Sequence, residues 1–167
     1  MTILTIAGGE VLVDDDALAL LAGPTWRVIR RRGPAYAGCL LRTDDGAHRW
    51  VAMHRLIAGA VDGEVVDHIN GDGLDNRRSN LRRCSHRENM RNRRGHGKRP
   101  FKGVEARGNR WRASIMLDGK AINLGRFDTA IEAAVAYDIG ARERHGTFAR
   151  LNFDPARDWL FPYEVAL

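Results

Sequence analysis

Asp67 and His68 stand side by side, Asn80 follows His68 by twelve positions, and Asn89 follows Asn80 by nine. All four fall in VVDHINGDGLDNRRSNLRRCSHRENMRNRR, from Val65 to Arg94. An imidazole, oxygen donors for a hard cation and a field of guanidinium groups are what the hydrolysis of a phosphodiester requires. A neutral imidazole accepts the proton of an attacking water, because its ordinary pKa lies close to working pH. A divalent metal offsets the charge that builds on phosphorus and assists the leaving oxygen. Asp67 and Asn89 supply oxygen donors, which suit Mg²⁺ or Mn²⁺ rather than a soft metal.

The charge distribution points to the same chemistry. Arg77 to Lys102 holds nine Arg and two Lys against a single acid, Glu88, for a net +10. The whole chain is +6, so the rest sums to −4. A local basic band is the footprint of a protein that binds nucleic acid. Within it Arg77, Arg78, Arg87, Arg91, Arg93 and Arg94 are the candidate phosphate contacts. Arg93, one helical turn past Asn89, is the first choice for the scissile phosphate. The other arginines are expected to be solvated or to pair with acids of the N-terminal region.

These groups need elements to hold them. VVDH reads as a strand, NGDGLDNRRSN as a loop, and LRRC as a short returning strand. Ser85 with Glu88 three positions on forms a capping box for a helix that carries Asn89. Upstream, TILTIA, EVLV, TWRVIRR, YAGCLLR and HRWVAM read as strands, with a short helix ALALLAG capped from Asp14 to Asp16. Downstream of GHGKRP, a linker by composition, FKGVEAR, RWRASIML and KAINLGRF read as three strands. Asp118-Gly119 is a hairpin signal. Thr129 with Glu132 caps a helix whose Ala130, Ala133, Ala134, Tyr137 and Ala141 form a small-residue face fit to lie on a sheet.

Several classes are excluded. No run of eighteen apolar residues predicts a membrane span, and MTILTIAGGEVLVDDD has no secretory pattern. Cys39 and Cys84 are too few and too far apart for a disulfide framework or a cysteine-bound zinc, so reduced thiols in a cytoplasm are expected. His54 reads as a packing or hydrogen-bonding group on its helix, His86 as an aid to phosphate binding at most, and His48, His96 and His145 as surface groups.

Two stretches resemble known families. DHINGD, DNRRSNL, the Ser85–Glu88 cap and Asn89 in register resemble the HNH nucleases in their Asp-His/Asn/Asn form, as in homing endonucleases of phage type. The resemblance runs from about Trp50 to Arg94 and includes the preceding helix MHRLIAG. It implies His68 as general base, Asp67 and Asn89 as metal ligands, and Asn80 as the residue that fixes the loop and orients the His68 ring. FKGV, the Arg110-Trp111 pair, LGRFDT, EAAVAYD and the closing LNF resemble the plant ethylene-response-factor DNA-binding domain from Phe101 to Phe153. That resemblance implies a three-stranded sheet that enters the major groove, with Lys102, Arg107 and Trp111 at contact positions. Alternation along RWRASIML instead puts Arg110, Arg112 and Ser114 on one face and Trp111, Ala113 and Ile115 on the other. Trp111 is therefore open to either a DNA contact or packing under the helix.

The expectation is an α+β chain. A β-rich region of unassigned role (1–50) precedes a ββα-metal HNH module (51–94) and a linker (95–100). A three-stranded antiparallel sheet with one packed helix (101–153) and a C-terminal tail (154–167) follow. The expected function is a metal-dependent double-stranded DNA endonuclease from a bacterial or phage-infected cell, monomeric or weakly dimeric. The rival is a DNA-binding regulator whose nuclease site has decayed.

Overall fold

The chain begins with an antiparallel hairpin of β1 (Thr2–Ile6) and β2 (Gly9–Val13). A 3₁₀ turn at Asp15–Ala17 and a single helical turn, α1 (Leu18–Leu21), follow. A second sheet then forms in the order β3 (Arg27–Ile29), β4 (Tyr36–Arg42), β5 (His48–Ala52), running straight into α2 (Met53–Ile57). The computed structural model describes residues 1–30, 33–44, 46–93, 99 and 101–153. The tail 154–167, Arg94 and all of the linker but Arg99 lie outside the described residues. The capping expected of Asp14 does not occur: its side chain makes no cap bond and instead accepts from the Arg78 backbone N–H at 2.7 Å.

The expected strand–loop–strand–helix follows α2. Strand β6 (Val65–His68) pairs antiparallel with β7 (Leu81–Cys84), so that Asp67 lies opposite Arg82 and His68 opposite Leu81. Helix α3 (His86–Asn92) starts at a complete capping box: Glu88 N–H donates to Ser85 Oγ, and the Glu88 carboxylate accepts from Ser85 N–H.

Residues 1–50 share one core with this module. Val11, Val13, Ala17, Leu21, Trp26, Ala37 and Cys39 are buried together with Met53 and Ile57 of α2, and Leu74 and Leu81 pack against them. Each such aliphatic side chain contributes roughly 1.5–3 kcal/mol on burial. The hairpin also touches the site loop through backbone. Leu12 N–H donates to Leu74 O at 2.9 Å, and Leu12 O accepts from Asn76 N–H at 2.8 Å. The region left without a role by sequence is thus a buttress that pins the loop between β6 and β7.

The chain divides into two units at Met90/Arg91, within α3. In the second, β8 (Val104–Arg107), β9 (Arg110–Leu117) and β10 (Lys120–Phe127) form an antiparallel sheet in the order β10-β9-β8. The β9–β10 turn uses left-handed backbone at Asp118 (φ 50°) and Gly119 (φ 81°), as an Asp-Gly hairpin demands. Helix α4 (Ala130–His145) lies across the sheet, with the Thr129–Glu132 capping box in place. Ala133, Ala134 and Ala141 are fully buried with Val104, Ala113 and Ile115, because only a small-residue face brings a helix axis this close to strands. Asp138, also buried, accepts from the backbone N–H groups of Asn152 and Phe153 and so closes the unit. His145, expected at the surface, is buried, and its Nε2 bonds Met116 O at 3.1 Å.

Candidate active site and nucleic-acid face

Strand β6 presents Asp67 and His68 at the bottom of the site, 6% and 5% exposed. The His68 Nε2 lies 3.3 Å from Asn76 Oδ1. A neutral imidazole carries one N–H and one lone pair, and the contact with Asn76 holds the Nε2 edge of the ring. Burial lowers the His68 pKa below the usual imidazole value, partly offset by the Asn76 bond and by Asp67, Asp72 and Asp75. The neutral, proton-accepting form is thereby favoured.

The loop explains how Asn76 is held. Asn80 Oδ1 accepts from Asn70 N–H at 3.0 Å, and its Nδ2 donates to Asn70 Oδ1 and Asp75 O at 3.0 and 2.7 Å. Asp75 chelates the Arg77 guanidinium at 2.7 and 2.6 Å and accepts from Asn70 Nδ2. Those Arg77 bonds hold the Asp75 carboxyl below the usual carboxylate range. Asn80 therefore ties Asn70 to Asp75 within the loop, and the asparagine whose side chain meets the His68 ring is Asn76. Asn76 is fully buried because β2 binds its backbone; its position in DNRRSN carried no signal that separated it from an ordinary turn residue. Gly73, in the same loop, has no room for a Cβ, which would stand 2.2 Å from Ala35 O and 2.6 Å from the Tyr36 ring.

Three rings meet at His68. His54 of α2 packs edge-on to His68 with centroids 4.9 Å apart, and Tyr36 of β4 lies 5.7 Å from His54 and 5.8 Å from His68. Burial, then the neighbouring His68 and Arg55, push the His54 pKa down to about 3, so its ring is uncharged.

Asp67 is bound by Arg82, whose Nη2 and Nε donate to Oδ2 at 2.7 and 3.0 Å. Asn89 sits half-buried in α3, its N–H bonded to Ser85 O. Carboxylate and amide oxygens are hard donors and fit a hard divalent cation. Among the described residues no group of three or more His, Cys, Asp or Glu could hold a metal ion. Residues 45–91 match the family model of the HNH endonucleases. The match spans β5, α2 and most of the β6–β7–α3 assembly, so the matched segment contains Asp67, His68, the loop and Asn89.

The candidate arginines from Arg77 to Arg93 divide by what they touch. Arg77 is chelated by Asp75. Arg78 donates to Ile57 O at 2.6 Å and pairs with Asp16 at 3.4 Å, joining the loop to the N-terminal acids. Arg87 is exposed on α3. Arg91 is half-buried and Arg93 exposed.

On the second unit, Glu105, Arg112 and Arg126 lie in cross-strand register on the sheet face away from α4. Glu105 pairs with both Arg107 and Arg112. Arg110 Nε pairs with Asp128 at 3.1 Å. Trp111 faces the other way and packs with Phe127 against the alanine core. Lys102 Nζ donates to the carbonyls of Arg91 and Arg93 at 2.5 and 2.7 Å, and burial with the charge of Arg150 pushes its pKa down to about 8. Arg126 was missed because strict alternation groups it with Ile122 and Leu124. A bulge between Asn123 and Gly125 shifts the register and turns Arg126 outward.

Proposed function

We propose that the chain is a DNA endonuclease of the HNH type, in which His68 removes a proton from the attacking water. The observation that supports this is the buried His68 ring, its pKa lowered by burial and its Nε2 edge against Asn76, within the segment that matches the HNH endonuclease model. The proton leaves water for the His68 imidazole as the new oxygen–phosphorus bond forms, and the bond to the leaving sugar oxygen breaks as that oxygen takes a proton from solvent water. Asp67 and Asn89 hold Mg²⁺ or Mn²⁺, which when bound supplies positive charge to the phosphate and lowers the barrier to departure of that oxygen. Arg87, Arg91 and Arg93 supply the phosphate contacts that position the strand.

The second unit binds the duplex through its sheet, in the manner its resemblance to ethylene-response-factor domains implies. Arg107, Arg110, Arg112 and Arg126 form its contact face. Two DNA-binding parts on one chain raise the effective concentration of the scissile bond at the base. A mobile-element or homing role follows from the resemblance to the phage-type enzymes.

The test is the nicking of supercoiled plasmid in Mg²⁺ by wild type and His68→Ala. The wild type is expected to relax the plasmid, and loss of the base to slow it by about 10²–10⁴-fold. Intact plasmid with both proteins, alongside tight duplex binding, would establish a regulator with a decayed site instead.

A further inference from the structure

The sheet β3-β4-β5 lays one face on the core of the first unit, through Val28, Ala37, Cys39, Leu41 and Val51. Alternation along β4 turns Tyr36, Leu40 and Arg42 the other way, with Gly38 between them. Register adds Arg27 opposite Gly38, Trp50 opposite Leu40 and His48 opposite Arg42. The outward face of such a sheet is normally polar. Here Leu40 is 52% exposed, and Trp50 and Tyr36 are 39% exposed. Trp50 is also seated on the sheet. Its indole reaches diagonally into the space over Gly38, where a Cβ would stand 2.1 Å from Cζ2. The three strands contain no Asp or Glu. Arg27 and Arg42 are exposed on this face, and neither joins an ion pair among the described residues. Arg49, on the opposite face of β5, is paired with Asp62. Tyr36 lies 5.8 Å from His68, so the outward face runs up to the candidate site.

We propose that this face holds a DNA strand beside the bond to be cut, with Trp50 stacking on an unpaired base and Arg27 and Arg42 meeting phosphates. Charge selects the occupant. Two copies joined through this face about a two-fold axis would set uncompensated arginines against each other, whereas a polyanion is attracted to them. The ring selects the state of the DNA. A paired base shows the protein only its edge, and an aromatic side chain gains most where a base face is open. Such stacking tolerates any sequence, since every base has a π-face. Position links the platform to the chemistry: from Tyr36 to Leu40, the partner of Trp50, is about 13 Å at the rise of a strand. Trp50 touches no reacting atom in this arrangement; it fixes where the strand lies. The inference rests on the reading of the chain as a DNA endonuclease.

The test is binding of the full chain, in EDTA, to labelled single-stranded oligo(dT) and to a fully paired duplex of the same length. Trp50→Leu removes the ring and keeps an apolar side chain, and Trp50→Phe keeps a ring. Trp50→Leu is expected to weaken binding of oligo(dT) by roughly five- to hundredfold, and binding of the duplex much less. Trp50→Phe should keep most of the affinity for oligo(dT). The single strand should quench the tryptophan emission of wild type, and most of that quenching should vanish in Trp50→Leu. Arg27→Ala should lower the salt slope on oligo(dT) by about 0.7. Wild-type affinity of Trp50→Leu for oligo(dT) overturns the inference, as do equal losses on single strand and duplex. A wild-type dimer that Trp50→Leu converts to a monomer with unchanged binding would make the face an interface between copies, and overturns it too. Should Trp50→Leu fail to fold, an unchanged salt slope in Arg27→Ala does the same. Binding is read without metal, so a wild type that fails to nick plasmid would sink the nuclease reading and leave this test standing.

Discussion

The two units handle charge in opposite ways. In the first, Asp67, His68, Asp75 and Asn76 are buried, and each is paired with a named side chain: Arg82, Asn76, Arg77 and His68 in turn. In the second, Arg107, Arg110 and Arg126 are exposed on one sheet face, with acids at hand only as surface neighbours. Buried polar groups are costly to leave unpaired, so they fix geometry. Exposed cations are cheap to move and bind through counterion release. A cutting site needs the first arrangement and a DNA grip the second.

Ion pairs give the sharpest test of that contrast. Arg82–Asp67 has side-chain exposures of 14% and 7%, whereas Arg110–Asp128 has 47% and 81%. Arg82→Ala strands a buried carboxylate and is expected to cost about 3–5 kcal/mol in urea unfolding without metal. Arg110→Ala should cost less than about 1 kcal/mol. Mg²⁺ should recover part of the Arg82→Ala loss, since Arg82 and a cation compete for the same carboxylate. Similar losses for the two variants would erase the distinction, and no recovery with Mg²⁺ would remove Asp67 from the metal's ligands.

Protons offer a second, smaller lever on the buried unit. Both His54 and His68 have folded pKa values below 6.5, the first at about 3. Between the folded and unfolded values the unfolded chain binds the proton and the folded one does not. Stability is therefore full above the unfolded value and declines as pH falls through it toward the folded one. The slope is at most about 1.4 kcal/mol per pH unit for each ring. His54→Phe removes one of these contributions, so its stability, followed by urea unfolding from about pH 7 to about pH 4, should fall less steeply than that of wild type. Parallel curves would mean that His54 titrates normally in the folded protein. The same direction for His68 places the acid limb of the nicking rate below the ordinary imidazole midpoint.

Most of the elements were legible in the sequence, because short strands with turn residues and two capping boxes are local signals. The register of Asp67 and His68 on a strand and Asn89 on the following helix was legible for the same reason. What was not legible came from distant contacts. Nothing near Asn76 announces that β2 grips its backbone, and nothing in MHRLIAG says that His54 will meet His68 across two elements. By resemblance Lys102 stood at a DNA-contact position, yet its amino group donates to the carbonyls of Arg91 and Arg93, a distant pairing that the residues around it do not announce. Trp111 was open between two faces until the buried Ala113 and Ile115 set the direction of β9.

Arg126 gives the smallest expected effect and the one most specific to the exposed face. The bulge at Asn123/Gly125 places it beside Arg112 instead of under α4. If the sheet face grips DNA, Arg126→Ala should weaken duplex binding by about 1 kcal/mol and lower the salt slope by about one counterion. Turnover at saturating DNA should not change, because the residue lies in the unit that does not contain His68. Arg107→Ala should behave alike, and the two losses should add if each meets its own phosphate. A variant that kept full affinity across salt would take the bulged edge of the sheet out of the interface. A loss of turnover at saturation would mean instead that the grip also sets the reacting geometry, and that the division between a rigid cutting site and a loose holding face is wrong.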